Sequence, residues 1–372
     1  MTTRSRPTWV DVDLEAIRHN VRALTPTEGA LMAIVKANAY GHGDLPVARA
    51  ALEAGASWLG VALVEEGIRL REAGIEAPIL VLSEFPPGSE RRALAASLTP
   101  ALYSEAGLAR LVEAADGAEV GVHVKVDTGM HRVGVYPPEA AHGFVDRVVG
   151  SGLSLDGLWT HLARSEEDRA TTEAQLALFR SVVEKVRTAG HAPRFVHAAN
   201  TGGTIRHPES RLDLVRAGIG IYGIAPAPGV GTALGLRPAL TWRSAVTMIK
   251  RLPAGARTSY GHHYRLDRDA WVATVPLGYA DGYPRLLSSR ADVLIGGQRC
   301  RVAGSVTMDQ LLVDCGDLEA EPGAEVVVLG TQGSETVSAE ELAIHAETIG
   351  YEIVTRIGER VPREYLGEER AT

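Results

Sequence analysis

The feature that most constrains this chain is a strict alternation of short apolar runs with helical periodicity over its first 220 or so residues. Runs rich in β-branched residues occur at 31–35, 58–63, 79–82, 98–102, 120–126, 155–161, 194–198 and 212–215. Between them, segments such as DLPVARAALEAGA, VEEGIRLREAG and EAQLALFRSVVEKVRTAG carry apolar residues at three- and four-residue spacing, the period of a helix with one buried face. Gly55, Gly74 and Gly190 stand where those helices should stop. Strands joined through helical crossovers run parallel. Eight strands, each followed by a helix or turn, predict an α/β fold of the (β/α)8 barrel type. A doubly wound open sheet shares the local pattern, but eight units in succession favour closure.

The texture changes after the Pro-rich stretch APAPGVGTALGLRP. LTWRSAVTMIKRL, AWVATVPLGY, ADVLIGGQRCRV, QLLVDC and EVVVLG read as strands separated by Gly-rich turns. One helix is expected at 339–349, and YEIVTRIGERVPREY closes the pattern. The expected division is a barrel over 14–234 and a mainly β C-terminal domain over 235–372.

Composition narrows the functional classes. A net charge of −8, with acids and bases interspersed and no basic stripe, argues against a nucleic-acid partner. No apolar stretch approaches a membrane span, and MTTRSRPTWV lacks a signal-peptide core, so a cytoplasmic protein is expected. With 5% aromatic residues and 40 glycines, the core should be mostly aliphatic and the turns numerous. Cys300 and Cys315 are expected to remain buried free thiols, a disulfide between them being the less favoured reading. His262 and His263 are adjacent and lack ligand spacing, so no metal site is expected.

In such barrels, working residues lie at the C-terminal ends of the strands. Those positions hold Lys36 in VKANAYGHG, Arg132 in KVDTGMHRVGV, His161, Asn200 and Thr201 in ANTGG, and Arg216, Gly218 and Ile219 in RAGIGIYG. The last two loops are where many barrels bind phosphate, and glycine there lets backbone N–H groups approach an anion. A lone lysine after a strand is ordinarily a solvated charge. Lys36 differs in setting, with an apolar strand before it, small residues after it, and Tyr40 four positions on. Burial, or cations such as Arg132 and Arg216 at the same mouth, would lower its pKa and make it a nucleophile.

VKANAYGHG resembles the pyridoxal-phosphate (PLP) lysine motif of alanine racemases. KVDTGMHRVGV, THLARS, HAANTGG, LVRAGIGIYG, SYGHHY, PLGYADGYPR, GSVTMDQ and YEIVTRIGERVPR resemble further motifs of that family, in family order. The resemblance implies a PLP-binding barrel, a C-terminal β domain joined by the N-terminal strand at 8–13, and a head-to-tail homodimer. It implies racemisation of alanine, in bacteria usually to supply D-alanine for peptidoglycan. Lys36 would hold PLP as a Schiff base and serve as one base; Tyr260, reaching in from the partner subunit, would be the other. Tyr40, Thr201, Gly218, Ile219 and Tyr351 would hold the phosphate, with Asn200 beside them. Arg216 would face the pyridine nitrogen, supported by His161. Arg132 would contact the cofactor's phenolic oxygen and the substrate carboxylate. Met308, Asp309 and Tyr279 would border the substrate.

Lys125 faces the same way as His123 and Asp127 in VHVKVD. In some family members the matching lysine is carbamylated and supports the substrate-binding arginine, here Arg132; neutralisation by Asp127 is the alternative. Three positions depart from the usual family pattern: Thr201 for serine, Ala217 for proline and Ser305 for arginine on the substrate's access path. Related PLP decarboxylases use an acid where Arg216 stands, and non-catalytic PLP-binding proteins resemble the barrel alone.

Overall fold

After a first strand, β1 (Thr8–Asp13), the chain forms the eight strands that the alternation predicts. These are β2 (Ala30–Ile34), β3 (Trp58–Val61), β4 (Ile79–Val81), β5 (Thr99–Leu102), β6 (Gly121–Lys125), β7 (Ser154–Trp159), β8 (Phe195–His197) and β9 (Leu214–Ala217). They pair in parallel in chain order from β2 to β8, with β9 returning to β2. Two backbone hydrogen bonds close the remaining seam: Asp213 N–H to the Val196 carbonyl (3.1 Å) and Arg216 N–H to the Ala199 carbonyl (3.0 Å). The sheet is therefore a barrel and not an open one. Pro100 is accommodated in β5, where the ladder with β4 is only Leu80–Thr99 and Val81–Pro100, in keeping with a residue that has no N–H to donate. This computed structural model describes residues 6–367.

Amphipathic helices cover the barrel. On Arg169–Thr188 the buried residues Leu176, Phe179, Val182, Val183 and Val186 repeat at helical spacing. Each such side chain contributes about 1.5–3 kcal/mol on full burial. Gly55, Gly74 and Gly190 all have positive φ just beyond helix ends. The barrel interior is less aliphatic than the composition suggests. Trp58 and His197 approach His123 at 5.2 and 5.1 Å between ring centroids, and Trp159 stacks on His197 at 5.4 Å.

By contacts the chain divides into two units. One comprises Ile17–Ala39 and Asp44–Leu236, and the other the chain up to Ala16, Tyr40–Gly43 and the chain from Arg237 onward. In the second unit β1 lies antiparallel to Leu240–Ala245 and parallel to Arg363–Leu366, within a ten-stranded sheet. The helix expected at 339–349 ends earlier, at His345: Glu347 turns left-handed, and Thr348 N–H reaches back to the Ala343 carbonyl in a Schellman closure. No helix among the described residues is long and apolar enough to cross a membrane.

Candidate active site

Lys36 is presented by an unusual piece of backbone. Ala37, Asn38 and Ala39 all sit near φ 50°, ψ 50°, and Tyr40 has φ 53°, so four non-glycine residues in succession are left-handed. Such residues cost roughly 1–2 kcal/mol each, so the turn needs external support. Glu66 supplies part of it: its carboxylate accepts the N–H of Ala37 (2.7 Å), Ala62 (2.8 Å) and Leu63 (3.0 Å). Asn38 Oδ1 accepts from Asp44 N–H at 3.0 Å. Half-buried Lys36 has its pKa lowered, chiefly by burial and next by Arg132, with Glu66 opposing.

Arg132 is exposed on the loop after β6. That loop is closed by Val135 N–H to the Lys125 carbonyl (2.8 Å) and by Asp127 Oδ1, which accepts from Gly129, Met130 and His131. Gly134 has φ 143°, and a Cβ there would lie 2.5 Å from the Asp127 nitrogen, so the loop requires glycine at this position. Asp127 is thus engaged by its own loop. Lys125 forms no ion pair among the described residues; its Nζ lies 4.5 Å from the centroid of Trp159. Burial, Arg216 and Arg132 pull its pKa down to about 7, against Asp127.

Arg216 is buried on β9 and donates to His197 Nδ1 (2.8 Å), His161 Nδ1 (3.2 Å) and the carbonyls of Thr160 and Ala198 (both 2.8 Å). Burial lowers its pKa to about 9, which leaves it a cation at neutral pH. Both histidines therefore accept at Nδ1 and carry their proton on Nε2. His197 passes that proton's hydrogen bond to His123 Nδ1 at 3.0 Å. Desolvation and the surrounding cations hold His161 and His197 well below the usual histidine range, and both are neutral.

Asn200 caps the short helix Thr201–Arg206 by accepting from Gly203 N–H at 2.9 Å, and is itself held by Ser165 Oγ at 2.6 Å. Thr201 Oγ1 accepts from Gly218 N–H at 3.0 Å, tying the loops after β8 and β9 together. A Cβ on Gly220 would meet Thr201 Cγ2 at 2.7 Å, so this junction closes only around glycine. The amides of Thr201, Gly202 and Ile219 have no partner among the described residues.

The second unit carries the other candidates. Tyr40 and Tyr351 approach at 6.1 Å between ring centroids, and burial raises the Tyr40 pKa to about 12. Tyr260 is 75% exposed beside a cleft of about 730 Å³ that is also lined by Ser259, His262, Thr307 and Leu311. Its backbone carbonyl accepts from Ser305 Oγ at 3.0 Å, and Ser259 Oγ donates to the Ser305 carbonyl at 2.7 Å. Met308 is 53% exposed, and its carbonyl accepts from Ala280 N–H. Tyr279 N–H donates to Thr307, and Asp309 pairs with Arg360 at 2.8 Å.

Within the barrel unit, then, Lys36, Lys125, Arg132, His161 and Arg216 share one electrostatic field, while Asn200, Thr201 and Gly218 form a contiguous cradle, with Ile219 following in chain. Sequence reasoning missed Glu66, Trp159 and the His197–His123 link. For Glu66 a signal existed: it stands three residues after Leu63, where a helix begins, a position from which a carboxylate reaches back to the cap.

A family model described as "Alanine racemase, N-terminal domain" matches residues 12–226, and one described as "Alanine racemase, C-terminal domain" matches residues 239–365. An alanine racemase of Symbiobacterium thermophilum is 49% identical over 372 residues, covering 98% of each chain. Among solved structures, the alanine racemase of D-cycloserine-producing Streptomyces lavendulae superimposes with a TM-score of 0.93 at 41% identity, covering 98% of each chain. That of Streptomyces coelicolor A3(2) gives 0.93 at 41% identity, over 97% of this chain and 98% of the other. With both family models matched in order and relatives aligned over nearly its full length, the chain belongs to the alanine racemase family.

Proposed function

We propose that this protein interconverts L- and D-alanine by two-base proton transfer, using PLP, and so supplies D-alanine for peptidoglycan. The observation that carries the reading is the barrel mouth: a lysine of lowered pKa among Arg132, Arg216 and Lys125, together with amides at Thr201, Gly202 and Ile219 that have no partner among the described residues. That donor set fits a phosphorylated, anionic cofactor with a carbonyl carbon for Lys36 to attack. When bound, PLP supplies an electron sink for the α-carbon of the substrate.

The chain's residues divide the remaining work. Lys36 Nζ takes or returns the α-proton on one face of the substrate, and the phenol of the partner subunit's Tyr260 does so on the other. Bases on both faces reverse configuration without moving the substrate. Arg132 holds the substrate carboxylate, and Met308, Asp309 and Tyr279, contributed across the dimer or beside it, border the pocket. Asn200, Thr201, Gly218, Ile219, Tyr40 and Tyr351 would hold the phosphate. Arg216, backed by His161 and His197, would serve the pyridine nitrogen. Its pKa is too high for it to give up a full proton there, which keeps the sink weak and disfavours transamination. Lys125, once carbamylated, becomes an anion able to accept from Arg132 and fix its guanidinium. Incubation of the PLP-loaded protein with L-alanine should drive optical rotation to zero as the racemate forms. Unchanged rotation, or a fall in rotation that comes from an achiral decarboxylated or transaminated product with no D-alanine formed, would refute the reading.

A further inference from the structure

The β unit holds a pair of nucleophilic side chains that racemisation does not use. Cys300 lies in the strand Gln298–Val302 and Cys315 in the neighbouring antiparallel strand Leu311–Gly316. The register pairs Arg301 with Asp314 and Val302 with Val313; one step further sets Cys300 directly opposite Cys315. Ala303 N–H donates to the Leu312 carbonyl, which marks 303/312 and, by alternation, 301/314 as hydrogen-bonded pairs. The cysteines therefore occupy a non-hydrogen-bonded position, where opposed Cα atoms are closest, about 4.5 Å apart. A disulfide accepts Cα separations of about 4.4–6.8 Å. Both thiols are free and lie on the buried face with Val302 and Val313. Each thiol donates weakly to a carbonyl of its own strand, Cys300 Sγ to Gln298 (3.8 Å) and Cys315 Sγ to Val313 (3.7 Å), and interaction between the two thiols lowers the Cys315 pKa and raises that of Cys300. A cavity of about 560 Å³ of mixed charge is lined by both cysteines together with Arg268, Arg299, Arg301, Asp314 and Asp317, and Arg299 and Arg301 are themselves paired with acids.

We propose that Cys300 and Cys315 form a site of reversible oxidative modification, closing to a cross-strand disulfide by exchange with a small disulfide admitted through this polar cavity. In the first step the Cys315 thiolate attacks one sulfur of the small disulfide, forming a mixed disulfide and releasing one thiolate. Cys300 then loses its proton and attacks the Cys315 sulfur, closing the internal bond and releasing the second thiolate. The two protein thiols are oxidised, the small disulfide is reduced, and the protons leave on the two small thiols. The bridge would tie the base of the segment whose connecting loop, residues 303–310, carries Met308 and Asp309 and, through Ser305, holds the backbone of Tyr260.

The test uses the folded, PLP-loaded protein exposed to oxidised glutathione, acid-quenched, then alkylated in denaturant and weighed intact. The expected result is joint loss of both alkylatable thiols, with no retained glutathione, no covalent dimer, and full recovery after dithiothreitol. Cys300→Ala should instead trap glutathione on Cys315. Two alkylatable thiols after exposure, a stable glutathione adduct on the wild-type chain, or a bridge between chains would overturn the proposal; the wild-type measurement decides it even if the variant fails to fold.

Discussion

Lys36 and Lys125 face the same cluster of positive charge, and the physics treats them differently. Lys36 keeps a partial counterweight in Glu66 and is only half-buried, so it can become a neutral nucleophile while remaining reachable. Lys36→Ala should abolish the visible absorption of bound PLP and its fixation by borohydride. Persistence of both would mean that another lysine anchors the cofactor. Lys125 is nearly buried, with a folded-state pKa of about 7 against an ordinary value of 10.5. Between those values the unfolded chain binds more protons, so stability should rise with pH from about 7 to 10 and be lowest below 7. Carbamylation removes the cation and with it this penalty. In carbon-dioxide-free buffer the thermal midpoint should climb across that window, and bicarbonate at neutral pH should raise it while adding the mass of one carboxylate per chain. Lys125→Gln should erase both responses. A wild-type midpoint indifferent to bicarbonate, with a Lys125→Ala variant as active as wild type, would make this lysine structural.

At the scale of elements, the turn that follows β2 is the strained piece, and Glu66 is its brace. Removing a carboxylate that satisfies three backbone N–H groups should cost roughly 1–3 kcal/mol: Glu66 itself is buried, but Ala37 and Leu63 are exposed, so water can take over part of the pairing. Glu66→Ala should therefore lower the denaturation midpoint and weaken PLP retention. A change within about 0.5 kcal/mol, the range of an ordinary surface substitution, would show that the left-handed turn stands without it. Gly134→Ala should likewise disturb the Arg132 loop, since its Cβ would strike the Asp127 backbone. The expected outcome is a raised KM for alanine with PLP absorption intact; an unchanged KM would detach this loop from substrate binding. These two elements also mark what the sequence could and could not convey. Eight β-branched runs with helical patterns between them announced the barrel, even at Pro100, because periodicity reports which faces must be buried. The strand-end rule likewise put Lys36, Arg132, His161 and Arg216 at one mouth, where the structure places them. Little in Ala37–Asn38–Ala39–Tyr40 announces a left-handed turn: it lacks glycine, and part of its support comes from Glu66, a residue distant in sequence. The His161 and His197 tautomers were hidden for the same reason, being set by tertiary hydrogen bonds from Arg216, and that of His123 by its hydrogen bond from His197.

For the molecule as a whole, the exposure of Tyr260 and Met308 is what the dimer proposal accounts for. A phenol serving as a base for one face only should affect the two enantiomers unequally. Tyr260→Phe should cut racemisation by roughly 10²–10⁴-fold. Solvent exchange of the α-hydrogen should survive better for the enantiomer whose proton Lys36 removes. Equal losses of exchange for both enantiomers would count against the two-base assignment. The most direct test joins both bases to the assembly. Lys36→Ala and Tyr260→Phe chains, each inactive alone, are co-expressed and the mixed dimers assayed for L-alanine racemisation. If one subunit's Lys36 works with the other's Tyr260, each mixed dimer regains one intact site, and random pairing yields about a quarter of wild-type activity. No recovery in mixed dimers that are shown to form, or full wild-type activity in a monomer, would contradict the account.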